Sequence, residues 1–224
     1  MKQILRPHIH YEELYCYQKA ESLYRMTYTF CERFLPAHGD RTVDQMKQAA
    51  RSGKQNIVEG LEDGKASIEM EIRLLNVARA SLRELREDYL DYLKTRGLET
   101  WTREHPRYDG LLQFCRSHNV YEDYAELLQR CQAEEFCNIA LTLCHMVDRM
   151  LQSYLEVTER EFLAEGGIKE RMYAARVAQR QLQSAPKPEQ TGELSALRAE
   201  VATLRSELAR LQARLERLEQ ASEG

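Results

Sequence analysis

The amino-acid sequence predicts an all-α protein: an antiparallel four-helix bundle with a helical insert and a suffix helix, followed by a C-terminal parallel coiled coil. Gly and Pro are scarce, at 10 and 5 of 224 residues, and 30% of the residues are charged, which is typical of long helices. Apolar residues also recur at steps of three and four over several long segments. We therefore assign residues 1–183 to the bundle with its insert and suffix helix, 184–192 to a linker and 193–221 to a coiled-coil oligomerisation segment.

The first two bundle helices are predicted over residues 11–35 and 42–59, separated by a turn at 36–40. We expect Gly60 just past the end of the second helix. The stripe expected to be buried on the first helix consists of Tyr17, Ala20, Tyr24, Thr27, Cys31 and Phe34. The buried side of the second is made mostly of small residues, so a neighbouring helix can approach closely: Val43, Met46, Ala49, Ala50, Gly53, Ile57 and Val58.

Two longer helices are predicted to complete the bundle. Ser67 can cap a helix over residues 68–95, and Gly97 follows its end. The pattern of residues 98–131 is less regular and indicates an insert with short helices. A second long helix is expected over 133–164, with a stripe from Phe136 to Val157, and a Gly-Gly pair separates it from a basic suffix helix over 168–182.

Residues 194–218 contain four successive heptads in which every a and d position is Leu or Val. This pattern predicts a coiled coil, because the apolar seam can leave water only against other copies. Charges at the g and e positions favour a parallel, in-register arrangement, since three of the four facing pairs have opposite charge and none has like charge. The predicted oligomerisation residues are Leu194, Leu197, Val201, Leu204, Leu208, Leu211, Leu215 and Leu218.

Composition and charge exclude several classes of protein. The net charge of −4 argues against a strongly basic nucleic-acid binder, although a local basic patch remains open. Residues 1–10 lack the apolar core of a signal peptide and no segment reaches membrane-span length, so we expect a cytoplasmic protein without a membrane partner. The six cysteines lack Cys-x-x-Cys spacing, and we expect free thiols, no metal and no cofactor.

The second predicted helix contains two polar residues near its end. Asn56 and Glu59 lie three apart on nearly one face, and an acid in the last turn needs a cationic or donor partner. We interpret the pair as a structural polar cluster that anchors the junction of the second and third helices, with Arg51 or Arg79 as partner. Simple solvation of both residues is the alternative.

The stretch from Gln45 to Gly60, with Asn56-Ile57-Val58-Glu59-Gly60, resembles the second-helix signature of the small four-helix-bundle proteins first noted in intervening sequences of bacterial 23S rRNA genes. The stretch Asn76-Val77-Ala78-Arg79-Ala80-Ser81-Leu82 is similar to the third-helix signature of that family, and the Gly166-Gly167-Ile168 stretch is similar to a suffix found in a subgroup. The resemblance covers about residues 11 to 182. It does not extend to the coiled coil, which is either a natural oligomeriser or a fusion.

This resemblance implies a four-helix bundle without known catalysis that tends to form rings. It also implies a distant likeness to the accessory variability protein of diversity-generating retroelements, which binds a reverse transcriptase and nucleic acid through a basic surface. This chain offers basic residues along the second helix and the loop after it, with acids around them: Lys47, Arg51, Lys54 and Lys65. A homo-oligomeric scaffold that binds RNA or a reverse transcriptase–RNA complex is therefore expected.

The sequence bears on two other classes of function. A protein–protein interaction adaptor without a nucleic-acid role is the alternative, with Tyr11, Tyr15 and Tyr28 as a docking surface. An enzyme is not expected, because the chain contains no His-Glu-x-x-His motif, Gly-rich phosphate loop or nucleophile elbow.

Overall fold

A computed structural model of the protein describes residues 9–36, 41–64, 67–184 and 188–222. All regular structure within these residues is helical, which confirms the all-α prediction. A short 3-10 helix, Tyr11–Glu13, comes first. The α-helices that follow are α1 (Tyr15–Phe34), α2 (Arg41–Asp63), α3 (Ile68–Thr95), α4 (Tyr108–Ser117), α5 (Tyr121–Arg130), α6 (Ala133–Glu165), α7 (Ile168–Ser184) and α8 (Pro188–Ser222).

Four of these helices form an antiparallel bundle. Helix α2 packs between α1 and α3, and α6 packs against both α3 and α1, so the four helices close a ring. Early residues of α3 meet late residues of α6: Tyr154 donates to Glu71 at 2.6 Å, and Arg79 Nε donates to Asp148 at 2.8 Å. Neighbouring helices therefore run in opposite directions, as the sequence predicts.

Aromatic rings fill the centre of the bundle. The ring of Phe30 on α1 lies edge-on to Tyr89 on α3, with centroids 4.9 Å apart, and is tilted against Phe136 on α6 at 5.4 Å. Tyr89 is fully buried, and its hydroxyl lies 3.1 Å from the Thr27 hydroxyl. The phenol thus buries its ring without leaving its polar end unpaired.

Helices α2 and α3 approach each other closely because glycines face the interface. A Cβ at Gly53 would lie 2.8 Å from the Leu82 side chain, and one at Gly60 would lie 3.2 Å from Leu75. The prediction that Gly60 ends the second helix is wrong, since α2 continues to Asp63. Gly60 is buried and φ is positive only at Gly97 and Gly166 among the described glycines, so it serves close packing rather than termination.

Other helix ends lie where the sequence predicts them. The Ser67 hydroxyl caps α3 by accepting from the Met70 amide at 3.1 Å. Gly97 and Gly166 follow α3 and α6 with φ of +63° and +73°, a region that favours glycine because it has no Cβ. Residues 37–40 of the predicted first turn lie outside the described residues.

Two predicted stripes differ from the observed core. On α1 the fully buried positions include Leu23, Met26 and Phe30, whereas Tyr17 and Tyr24 are only half-buried at the edge of the bundle. The α6 stripe ends before Val157, which is 47% exposed. The steps of three and four fit several adjacent stripes on a helix, and tertiary packing selects one of them.

The insert consists of α4, which packs on α6, and α5, which packs on α1. A buried lysine on α1 attaches it: the Lys19 ammonium donates to the carbonyls of Cys115 at 2.5 Å and His118 at 2.6 Å. These carbonyls lie at the C-terminal end of α4, where the helix dipole favours a cation.

The C-terminal region is more continuously helical than the sequence predicts. Helix α7 runs to Ser184 and α8 begins at Pro188, so helix occupies much of the predicted 184–192 linker; residues 185–187 lie outside the described residues. Proline is favoured in the first turn of a helix, where its missing N–H has no partner to lose. The chain divides into two compact units, Met1–Met172 and Tyr173–Gly224, with the boundary within α7.

Candidate nucleic-acid interface

Three of the four predicted RNA-binding residues share one surface of the bundle. Lys47, Arg51 and Lys54 follow each other along α2 at steps of four and three, so their side chains leave the helix on one side. Facing them across the antiparallel contact are Tyr24 and Tyr28 of α1. We call these five residues the α1–α2 basic face. The fourth predicted residue, Lys65, lies outside the described residues.

Cations and aromatic rings alternate along the α1–α2 basic face. The Lys47 ammonium lies 4.9 Å from the centroid of the Tyr28 ring, and the Lys54 ammonium lies 4.2 Å from that of Tyr24. The two rings pack edge-on to each other with centroids 5.0 Å apart. Each lysine is thus held near the surface by a cation–π contact with a tyrosine ring.

The charge of this face is positive but partly balanced. Glu21 on α1 pairs with Lys54 at 3.0 Å, and the two side chains are 32% and 21% exposed. Arg51 is exposed. A hydrogen bond with Tyr24 and partial burial raise the pKa of Tyr28, while the nearby Arg51 opposes that rise, so the phenol is neutral at neutral pH. Lys47 and Arg51 form no ion pair with an acid among the described residues, so two of the three positive charges on this face are not balanced by a neighbouring acid.

The two residues of the predicted polar cluster, Asn56 and Glu59, bond to different partners. Asn56 donates to the Ser52 carbonyl at 2.8 Å, and the Ser52 hydroxyl lies 2.9 Å from that of Ser81 on α3. This network joins α2 to α3. Glu59 is exposed and accepts from Gln55 at 3.2 Å. Arg79, one suggested partner, pairs with Asp148 of α6.

The predicted oligomerisation residues form an exposed apolar line on α8. Exposure ranges from 45% at Val201 to 66% at Leu211, and the residues described in this way are Leu194, Leu197, Val201, Leu204, Leu208 and Leu211. Leu215 and Leu218 belong to α8, but their side chains lie outside the described set. Apolar residues at this spacing and exposure form a surface that a partner helix would cover.

Two general features of the described residues bear on function. No group of three or more His, Cys, Asp or Glu among them is arranged to hold a metal ion, and all six cysteines are buried free thiols. Burial raises the pKa of Cys16 and Cys131 to about 11, so these thiols are protonated at neutral pH. None of the helices within 9–36, 41–64, 67–184 and 188–222 has the length and apolar character that crossing a bilayer requires.

The sequence missed one contributor to the interface. Tyr24 fits the apolar stripe predicted for the first helix, yet its ring is half-buried beneath Lys54. No spacing in the sequence could have found it, because Tyr24 and Tyr28 are four residues apart whereas Lys47 and Lys54 are seven apart, and only the packing of α1 on α2 pairs them.

Comparison with known proteins connects this surface to a family. Residues 12–104 match the family described as 23S rRNA-intervening sequence protein. The match spans α1, α2 and α3 and includes the α1–α2 basic face, and it confirms the resemblance that the two motifs predicted over this part of the chain. No curated protein and no solved structure matches the chain significantly. The likeness to the accessory variability protein stays a prediction.

Proposed function

We propose, from the match of residues 12–104 to the 23S rRNA-intervening sequence proteins, that this chain is a cytoplasmic, non-enzymatic, homo-oligomeric scaffold that binds RNA through the α1–α2 basic face. The observation that carries the proposal is the alternation of Lys47 and Lys54 with the rings of Tyr28 and Tyr24. Cations pair with phosphates, and the two rings hold the ammonium groups in a row at the surface.

Self-association through α8 supplies the scaffold part of the proposal. A single short basic face on a chain of net charge −4 would bind RNA weakly. Parallel copies joined along the exposed α8 line would present several such faces to one strand, which raises the overall affinity without new contacts. The resemblance to the accessory variability protein extends the proposed partner to a reverse transcriptase carrying its RNA.

The test compares RNA binding by the intact protein and by the variant Lys47→Gln/Arg51→Gln/Lys54→Gln. We expect the variant to bind a labelled single-stranded RNA more weakly in fluorescence anisotropy. If all three cations contact phosphates, the slope of log K against log salt becomes shallower by about 2, because about 0.7 counterions per contact are no longer released.

A matched control removes three cations from another helix. Arg83, Arg86 and Lys94 lie on α3, and each pairs with an acid. Replacing them by Gln removes three positive charges, as in the first variant. This control is expected to keep the affinity and salt dependence of the intact protein. Equal loss in both triple variants, or no loss in the first, contradicts the proposal.

A protein–protein adaptor is the second candidate, and one observation favours it. Tyr15 is 61% exposed at the start of α1, so its ring is available to a partner surface. Affinity purification of the tagged full chain with nuclease present distinguishes the two. A protein partner that is recovered after nuclease, lost in Tyr15→Ser, and unaffected by the α2 triple variant supports the adaptor.

A further inference from the structure

A groove beside the insert lies away from the α1–α2 basic face. It encloses about 740 Å³ between α3, the segment that precedes α4, α4 itself and α6. Leu90, Leu112 and Leu141 form apolar parts of its wall, and Trp101 and Tyr108 add aromatic surface. A cavity of this size, with mixed apolar and polar walls, is within the range that accommodates a small organic ligand.

Three arginines from three different elements line the groove. Arg103 precedes α4, Arg116 belongs to α4 and Arg149 belongs to α6, and all three are exposed. No acidic side chain of the described residues lines it. Concentration of one sign of charge in a concave surface with low-dielectric walls attracts anions.

Two acids adjacent in sequence to groove-lining arginines have partners of their own. Glu104 accepts a hydrogen bond from Thr102, and Asp148 pairs with Arg79 and Arg83. Among ion pairs formed by residues that the structure describes, none includes Arg103, Arg116 or Arg149. This differs from the basic residues of α3, of which Arg79, Arg83, Arg86 and Lys94 each have an acidic partner.

Ordinary helix electrostatics explain only part of this arrangement. Arg116 lies in the last turn of α4, where the dipole favours a cation. Arg103 lies next to Glu104 in sequence, and its charge contributes to a lowered pKa of that carboxyl, although the main cause is the hydrogen bond from Thr102. Arg149 is in the interior of α6 and has neither explanation.

The floor of the groove is held rigidly by a buried polar network. Asn138 is 2% exposed; its side-chain oxygen accepts from the Trp101 amide at 2.8 Å, and its nitrogen donates to the Glu99 carbonyl at 2.9 Å. The Trp101 indole donates to Glu134 at 3.0 Å and stacks on His105, with ring centroids 4.5 Å apart. Trp101 is therefore already fixed in place before a ligand enters the groove, which lowers the entropic cost of binding.

We propose that this groove binds a nucleoside phosphate, with the phosphate paired to Arg103, Arg116 and Arg149 and the base against the leucine and aromatic walls. Guanidinium groups bind phosphate oxygens with paired hydrogen bonds that a simple counterion does not reproduce. The apolar walls give a reason for the nucleoside part of the ligand. This inference is independent of RNA binding at the α1–α2 basic face, because it uses different residues on different helices.

The chain has a built-in probe, since Trp101 is its only tryptophan. The intact protein is titrated with AMP, ADP and ATP, and also with adenosine and inorganic phosphate, while tryptophan fluorescence is excited at a wavelength the nucleotides do not absorb. We expect a saturable change with at least one nucleotide and a much weaker response to adenosine. No saturable change with any nucleotide, together with no heat of binding by calorimetry, overturns the proposal.

Variants identify the residues that bind. Arg116→Gln and Arg149→Gln are each expected to weaken binding roughly tenfold or more, since a charge-assisted hydrogen bond is lost. The control Arg130→Gln removes an exposed arginine of α5 and is expected to leave affinity unchanged. The melting temperature of the arginine variants without ligand should change little, because neither side chain has an ion pair among the described residues and Arg116 loses only a weak interaction with the helix dipole. Undiminished nucleotide binding in Arg116→Gln/Arg149→Gln overturns the proposal.

Free nucleotide and an RNA end carry the same phosphate chemistry, and two oligonucleotides distinguish them. An RNA with a 5′-phosphate and the same RNA with a 5′-hydroxyl are compared in the background of the α2 triple variant, which removes the proposed RNA surface. Preference for the 5′-phosphate that is lost in Arg116→Gln/Arg149→Gln assigns the groove to RNA ends, whereas binding of nucleotides alone assigns it to free ligand. If only the α2 variant loses RNA and neither phosphate source binds the groove, the proposed function stands and this inference fails.

Discussion

Asp88 lies half-buried on α3 beside two other acids. Burial, followed by the charges of Asp91 and Glu84, raises the pKa of its carboxyl to about 6. The usual value in an unfolded chain is about 4. The folded protein therefore binds more protons than the unfolded chain between these values, and its stability falls as the pH rises through that window.

The first prediction concerns this carboxyl. Asp88→Asn removes a charge that the folded state disfavours, so it should raise the melting temperature at pH 7.5, where the penalty is fully present. At pH 4 the carboxyl of the folded protein is protonated, and the gain should disappear. Calorimetry at both pH values checks this, with Glu126→Gln on the exposed surface of α5 as control. A similar gain at both pH values would show that charge is not the cause.

At the level of elements, one lysine connects the insert to the bundle. Lys19 is 1% exposed on α1, and burial lowers the pKa of its ammonium, while the carbonyls of Cys115 and His118 receive its hydrogen bonds. Ser22 reinforces this contact, since its hydroxyl donates to the Asn119 carbonyl at 3.0 Å. The C-terminal end of α4 is thereby fixed to α1, and α4 contributes one wall of the arginine-lined groove.

The second prediction tests that connection. Lys19→Met keeps the length of the side chain but leaves two carbonyls without this donor, so the free energy of unfolding should fall by about 1–3 kcal/mol. Urea denaturation measures it. Lys94→Met, at an exposed lysine of α3, should change stability by less than about 0.5 kcal/mol. Unchanged stability of Lys19→Met would mean that the buried lysine does not hold the insert.

For the whole molecule, we propose that the exposed apolar line on α8 leads to self-association. The single chain has a mass of 26.2 kDa, and its heptad core residues from Leu194 to Leu211 remain at least 45% exposed. On this proposal the leucine and valine side chains leave water by packing against another helix, and the predicted pairing of g and e charges favours a parallel copy.

The third prediction concerns the molar mass in solution. Light scattering at micromolar concentration should give several copies of the 26.2 kDa chain for the intact protein, and fewer copies or a single one after removal of residues 186–224. Leu204→Glu/Leu208→Glu should have the same effect without shortening the chain. A truncated protein that keeps the same number of copies would place the interface on the bundle. An intact chain at the mass of one copy would contradict the scaffold.

Local sequence was sufficient to predict most of the helices. The spacing of Leu75, Leu82 and Leu85 requires an amphipathic helix, and Ser67 and Gly97 determine its ends through chemistry between near neighbours. The heptads of α8 and the α2 and α3 motifs were visible for the same reason, because a repeat or a motif needs no knowledge of distant residues. The family match over residues 12–104 agrees with those motifs.

Contacts between distant residues account for what the sequence did not predict. Gly60 continues α2 because Leu74 and Leu75 pack against it, and Lys19 is buried because α4 ends nearly a hundred residues later at the same place. Arg103, Arg116 and Arg149 look like separate solvated charges along the chain, and only the packing of α4 on α6 gathers them around one groove. Periodicity reports which side chains share a helix face, whereas the partner of that face depends on how the helices assemble.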